Sequence, residues 1–159
     1  MINKRELLDR IVTRLQAELE LLTTAALATH AEATDEENKA EDKYDTRGLE
    51  ASYLAHGQSK AAEEAALALA QFQALPPREF TASEPVSIGA YVVLSARERS
   101  HYFIGPRAGG TEIELAGATV LVITPQSPLG RQLLGRRQGD TVQLDVGGKQ
   151  SAARIVAVN

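Results

Sequence analysis

Between Glu32 and Asp45 the chain reads Glu-Ala-Thr-Asp-Glu-Glu-Asn-Lys-Ala-Glu-Asp-Lys-Tyr-Asp, seven acids against two lysines in fourteen residues. Carboxylates at this density either keep a turn solvated or offer themselves to a cation. A turn between helices needs a few polar groups, but not so many of one sign, because like charges at short range repel. Two acids in the run, Asp42 and Asp45, stand three apart, a spacing that brings side chains to one face at the start of a helix. Asp35, Glu36 and Glu37 form a second, looser cluster. The chemistry open to such groups is the holding of a metal ion or of a basic partner.

Other site chemistries are poorly provided for. With no cysteine in the chain, disulfides and thiolate zinc sites are excluded. His30, His56 and His101 are far apart in sequence, so a zinc site built by the protein alone is not expected, and the three read as ordinary surface residues. Gly105-Pro-Arg-Ala-Gly-Gly110 lacks the Gly-Lys-Ser/Thr of a phosphate loop and reads as a hairpin loop. No nucleophile with a linked base can be argued. The start, Met-Ile-Asn-Lys-Arg-Glu, leads into a charged amphipathic segment and not the apolar core of a signal peptide, and no run is long enough to cross a bilayer. The expectation is a soluble cytoplasmic protein.

The acids must be positioned by what flanks them. Before the run, Leu8, Val12, Leu15, Leu19, Leu22, Ala26, Thr29 and Ala33 recur in steps of four and three, the seam of a coiled coil. After it, Leu54, Gln58, Ala61, Ala65, Ala68, Phe72 and Leu75 repeat the spacing. Leucines facing alanines let two helices approach closely, while a polar Gln58 costs stability and helps fix register. Gly57 weakens the second arm by roughly 1 kcal/mol relative to Ala. If Leu8 and Leu75 lie near one another, the chain folds back near residue 41 or 42, within the acidic run. An arm from Leu8 to that point is about 50 Å long at about 1.5 Å per residue.

Pro76-Pro77 cannot continue a helix and serves as a hinge. Residues 1–75 hold no proline, 14 acids and 8 bases, whereas residues 76–159 hold all six prolines, 7 acids and 9 bases, so the expected division is a hairpin of residues 1–75 and a second domain of residues 76–159. The second domain reads as strands at 86–96, 102–105, 111–115, 119–124, 141–146 and 151–158, with hairpin turns at Gly109-Gly110 and Gly147-Gly148. One short helix interrupts them: Ser127 is a good N-cap, Pro128 suits the first helical position, and Gly135 ends it. The class is α+β, an antiparallel helical hairpin followed by a small antiparallel β domain.

The stretch Ser127-Pro-Leu-Gly-Arg-Gln-Leu-Leu-Gly135-Arg-Arg-Gln-Gly-Asp-Thr-Val142 resembles a signature of the C-terminal domain of the bacterial Gre transcript-cleavage factors, and Val86-Ser-Ile-Gly-Ala-Tyr-Val-Val-Leu94 resembles that domain's first strand. The resemblance implies an FKBP-like C-terminal domain that docks on bacterial RNA polymerase, with Ser127, Pro128, Leu129, Arg131, Leu133 and Leu134 as candidate contact residues. It implies a hairpin that enters the polymerase secondary channel, where two tip acids in a D-x-x-E pattern help hold Mg²⁺ for cleavage of backtracked RNA. Asp42 and Asp45 match that spacing, with Asp in place of Glu and Thr46-Arg47 in place of the family's Asn-Ala. Mg²⁺ favours hard oxygen ligands and takes only one or two carboxylates from many proteins. No cofactor is expected to be bound stably, since the ion belongs to the polymerase active site. The implied partners are the polymerase and, through it, nascent RNA, with no membrane, and the chain is expected to be a monomer. Two alternatives stand beside this reading: a secondary-channel regulator that inhibits without cleavage, and a self-associating coiled-coil protein. An FKBP-like fold does not by itself carry isomerase activity, for which only Phe80, Tyr91, Tyr102 and Phe103 could line an aromatic pocket.

Overall fold

A computed structural model of the chain describes residues 2–34 and 46–159. Its elements in order are α1 (Lys4–Thr34), α2 (Arg47–Gln73), β1 (Tyr91–Ser95), β2 (Arg99–Ile104), β3 (Glu112–Leu115), β4 (Ala118–Ile123), α3 (Pro128–Leu133), β5 (Thr141–Val146) and β6 (Lys149–Val158). Two compact units are present, one of residues 1–12 with 71–159 and the other of residues 13–70.

Residues 13–70 contain most of both helices. On α1 the anticipated seam is the covered face: Leu15, Ala26 and Thr29 are buried and Leu19 and Leu22 half-buried. On α2 the stripe departs from expectation at one end, where Ala55 is buried and Leu54 is 56 % exposed. The cause is degeneracy. Alanine occupies both 61 and 62, so the steps 55-58-62-65 satisfy the heptad spacing as well as 54-58-61-65 do, and the small side chains of either set can face α1. Leu8, near the start of α1, and Leu75, just beyond α2, line one groove with Val12 and Phe72. The helices are therefore antiparallel, as the pairing of Leu8 with Leu75 requires.

The remaining unit is built on one six-stranded sheet in the order β3-β4-β2-β1-β6-β5. Four of its five pairings are antiparallel, but β2 and β4 run parallel, with Phe103 opposite Val122, so the sheet is mixed and not wholly antiparallel. The reason lies in residues 105–111. They do not make a hairpin at Gly109-Gly110. They cross over the end of β4, with Gly105 N–H donating to Ile123 O (2.8 Å) and Gly110 N–H to Val122 O (2.9 Å). This leaves a gap one strand wide, which β4 fills after a two-residue turn at Ala116-Gly117 (φ 53° and 77°). Gly147-Gly148 does form the expected tight turn between Val146 and Lys149, with both residues at positive φ, as a type I′ hairpin demands.

Alternation places the side chains on two covered faces. One carries Val92, Leu94, Ile104, Val142, Leu144 and Ile155, which pack with Leu133 of α3, Phe80 and Val86 in a single core. The other carries Tyr91, Phe103 and Val122, register neighbours across three strands, and receives Phe72, whose ring lies 6.2 Å from that of Phe103. Gly105 permits this approach, since a Cβ there would fall 2.6 Å from Phe72 Cζ. At the β3 edge, Arg10 of α1 donates through Nη1 to Glu114 O at 3.1 Å.

The segment after α2 is fastened to the start of α1. Lys4 is buried, donates to Arg78 O, and sits 4.4 Å from the centroid of Phe80. Arg78 lies at 4.4 Å from the same ring and pairs with Glu84. Burial, reinforced by the Arg78 charge, pushes the Lys4 ammonium down to about 8.

Candidate functional site

The loop around α3 is set by short-range chemistry. Ser127 adopts the extended conformation of an N-cap (φ −65°, ψ 152°). Its Oγ accepts from Gly130 N–H at 3.0 Å and donates to Thr124 O at 2.8 Å. The same carbonyl presses against Gly130, where a Cβ would meet Thr124 O at 1.9 Å, so the turn and the helix close on each other only because this residue has no side chain. Pro128 fills the first helical position, where its missing N–H costs nothing. Gly135 (φ +78°) ends the helix and donates to Val86 O at 2.9 Å, while Val86 N–H returns a bond to Arg136 O at 2.7 Å. The Gly139-Asp140 pair closes the next turn, Asp140 Oδ2 accepting from Arg137 N–H at 2.9 Å.

The candidate contact residues divide by burial. Leu133 is fully buried in the core and supports the loop from beneath, so it cannot touch a partner directly. Leu129 and Leu134 are partly buried against the same core. Pro128 and Arg131 are exposed, and Arg131 is held in place by a bond from its Nε to Gln126 O at 2.9 Å. Arg137 is committed to Ser83 O through Nε (2.8 Å), whereas Arg136 extends from the surface. The resulting face is a small apolar patch with three cations, Arg131 and Arg137 held by backbone carbonyls and Arg136 beside them.

Gln132 escaped the sequence reading. Its side-chain amide faces the outer edge of β5: Gln143 N–H donates to Gln132 Oε1 at 2.9 Å and Gln132 Nε2 donates to Gln143 O at 3.1 Å. Nothing in the local pattern around position 132 could have announced this, because its partner is set by the sheet.

Asp42 and Asp45, and the alternative cluster Asp35 to Glu37, lie outside the described residues. What the structure supplies is their mounting, with α1 reaching Thr34 on one side and α2 starting at Arg47 on the other. Thr46 precedes α2 and its hydroxyl donates to Glu50 Oε1 at 3.1 Å. Among the described residues no group of three or more His, Asp or Glu side chains is placed to hold a metal ion, and no helix is long and apolar enough to cross a membrane.

His30 and His56 are exposed as expected, but His101 is not an ordinary surface residue. Its Nδ1 is 2.6 Å from the Tyr91 hydroxyl, the two rings stack at 6.1 Å, and burial raises the tyrosine above its usual range. The sheet also separates the aromatics that an isomerase pocket would need. Phe80 and Tyr102 belong to the α3 side, while Tyr91 and Phe103 are register neighbours on the other, so the four line no common cavity.

Residues 82–159 match the family described as "Transcription elongation factor, GreA/GreB, C-term". The C-terminal domain is of the GreA/GreB type. The matched span takes in the whole mixed sheet and the Ser127–Val142 stretch. No curated protein matches the sequence. Among solved structures, the chain is similar to the transcription factor Gfh1, at 24% identity over 92% of each chain with a TM-score of 0.41. It is similar to GreA factor homolog 1 (Gfh1) of Thermus thermophilus, at 22% identity over 97% of this chain and 93% of that one (TM-score 0.38). It is also similar to the prokaryotic transcription elongation factor GreA/GreB from Nitrosomonas europaea, at 25% identity over 64% of this chain and 78% of that one (TM-score 0.37). For this Gre domain the α3 loop is the part whose geometry is most specifically encoded, through Ser127, Gly130, Gly135 and Asp140.

Proposed function

We propose that the chain is an accessory factor of bacterial RNA polymerase, docking through the α3 loop and presenting the acidic stretch between α1 and α2 at the secondary channel to stimulate cleavage of backtracked RNA. The observation that carries the reading is the GreA/GreB domain at residues 82–159 joined to an antiparallel helical pair whose connection holds six of the seven acids of the run. In this reading Pro128, Leu129, Leu134 and Arg131 form the docking face and Leu133 holds it up. Asp42 and Asp45 supply carboxylate oxygens toward an Mg²⁺ shared with the polymerase, which takes its remaining ligands from water and substrate. When bound, such an ion makes water a better nucleophile at neutral pH. The bonds of the RNA are broken by the polymerase, so the factor is not itself an enzyme, and it acts as a monomer in the cytoplasm.

One observation favours a second reading, a channel regulator without cleavage: Asp45 is one methylene shorter than the Glu of the family's D-x-x-E pattern. Both readings place the chain on the polymerase, and this is testable because the sequence has no cysteine. A single cysteine introduced at Asp42 or Arg131 provides a unique attachment point for a photocrosslinker. The Asp42→Cys probe is expected to label polymerase segments at the active centre and the Arg131→Cys probe segments at the channel's outer rim. Absence of labelling from both positions would remove the polymerase from the account.

A further inference from the structure

The strand order leaves β5 at one edge of the sheet. Its ladder with β6 closes at Val146–Lys149 and continues through the pairs 144–151 and 142–153, with Ile155 N–H reaching Asp140 O at 2.8 Å. The alternate residues Thr141, Gln143 and Asp145 therefore turn their peptide groups outward, since antiparallel residues alternate between bonded and non-bonded pairs. Unpaired outward groups of this kind are a template for another strand. At the middle position, Gln143, the template is already occupied. A side-chain amide has the same donor and acceptor as a peptide group, and Gln132 offers both, at 3.1 Å and 2.9 Å. One side chain on a six-residue helix thus stands where the peptide of a neighbouring strand would lie.

We infer that the outer edge of β5 is a self-pairing surface for a second copy of this chain, and that Gln132 holds it closed. The register supports a copy as the occupant. A two-fold axis through Gln143 pairs that residue with itself, so that the two N–H···O bonds formed are made by the groups Gln132 now satisfies. Thr141 then faces Asp145 of the other copy, and Asp145 faces Thr141, which puts no like charges opposite one another. On the core side Val142 faces Leu144, extending the apolar face across the junction. Both flanking outward residues, Thr141 and Asp145, are exposed. An isologous interface needs such self-complementarity, and the sequence Thr-Val-Gln-Leu-Asp supplies it. The opposite edge differs: β3 is covered by charged Arg10 from a long helix, which opposes strand addition both sterically and by charge.

The test is the solution mass of the full chain by light scattering over a range of concentrations, for wild type, Gln132→Ala and Gln132→Ala/Gln143→Pro. Ala suits the helix position, and Pro is tolerated where an edge-strand N–H points outward. Wild type is expected at one chain mass of 17.1 kDa, Gln132→Ala to move with concentration toward twice that mass, and the double variant to return to one. Amide exchange at Gln143 gives an independent reading: slowed in wild type by Gln132, slowed in the dimer by the partner, and fast in a monomeric Gln132→Ala. A Gln132→Ala chain that keeps native circular dichroism, remains monomeric and exchanges fast at Gln143 would overturn the inference. So would association that survives Gln143→Pro, which would place the contact elsewhere, or stronger polymerase binding by Gln132→Ala without any dimer, which would give the edge to the polymerase.

Discussion

Lys4 gives the base of the helical pair a pH dependence whose sign and size follow from its surroundings. The side chain is 4 % exposed, and its amine is pushed down from 10.5 to about 8, first by burial and then by the Arg78 charge, with Glu79 and Glu84 acting in the opposite sense. In the unfolded chain the amine titrates near its ordinary value of about 10.4. Between the folded and unfolded values the unfolded state binds more protons, so stability rises with pH across that window and falls as pH drops through about 8. The full displacement corresponds to a ceiling of about 3.4 kcal/mol at 1.36 kcal/mol per pKa unit. Solvent screening reduces it, and between about pH 7 and pH 9 the expected gain is about 1 kcal/mol. The perturbation is Lys4→Met, which keeps the stem's volume and removes the titration. In urea unfolding followed by far-ultraviolet circular dichroism, wild type should gain roughly 0.5 M in midpoint over that pH interval relative to the variant, given typical slopes of about 1–3 kcal/mol per M. Midpoints that move in parallel would refute the reasoning, because the buried ammonium would then carry no cost.

Two further perturbations probe the packing. Gly105→Ala places a methyl against Phe72 Cζ at 2.6 Å and Val122 Cγ1 at 2.9 Å, and should destabilise by about 1–3 kcal/mol, read as a lowered thermal midpoint. Gln58→Leu should stabilise the helical pair by about 1 kcal/mol or more, because among the described residues Gln58 Oε1 is buried without a hydrogen-bond partner and an unsatisfied acceptor costs about 1–3 kcal/mol. Slower amide exchange in residues 50–65 would register that gain.

Local chemistry was legible from the sequence, and adjacency was not. Ser127, Pro128 and Gly135 mark the ends of α3 within nine residues, and Gly147-Gly148 marks its own hairpin, because capping and turn conformations depend on near neighbours. The parallel β2–β4 pair was hidden because the crossover at 105–111 contains the same glycines that a hairpin would. Residues 86–90 read as strand from their apolar character, yet they are held by isolated bonds, one each to Gly135 and Arg136 and two to Ile104, and do not join the ladder. Leu54 was misplaced by the doubled alanines of α2. His101 and Gln132 owe their roles to Tyr91 and Gln143, each ten or more residues away, and no periodicity encodes such a contact.

The most direct test of the functional account is RNA cleavage in a stalled, backtracked RNA polymerase complex from the same organism with Mg²⁺ present, comparing wild type with Asp42→Asn/Asp45→Asn. The account predicts that wild type accelerates cleavage and that the double variant does not, while both bind the polymerase. Equal acceleration by the double variant would contradict the assignment of Asp42 and Asp45. No acceleration by a wild type that still binds would contradict cleavage and leave the regulator reading in its place.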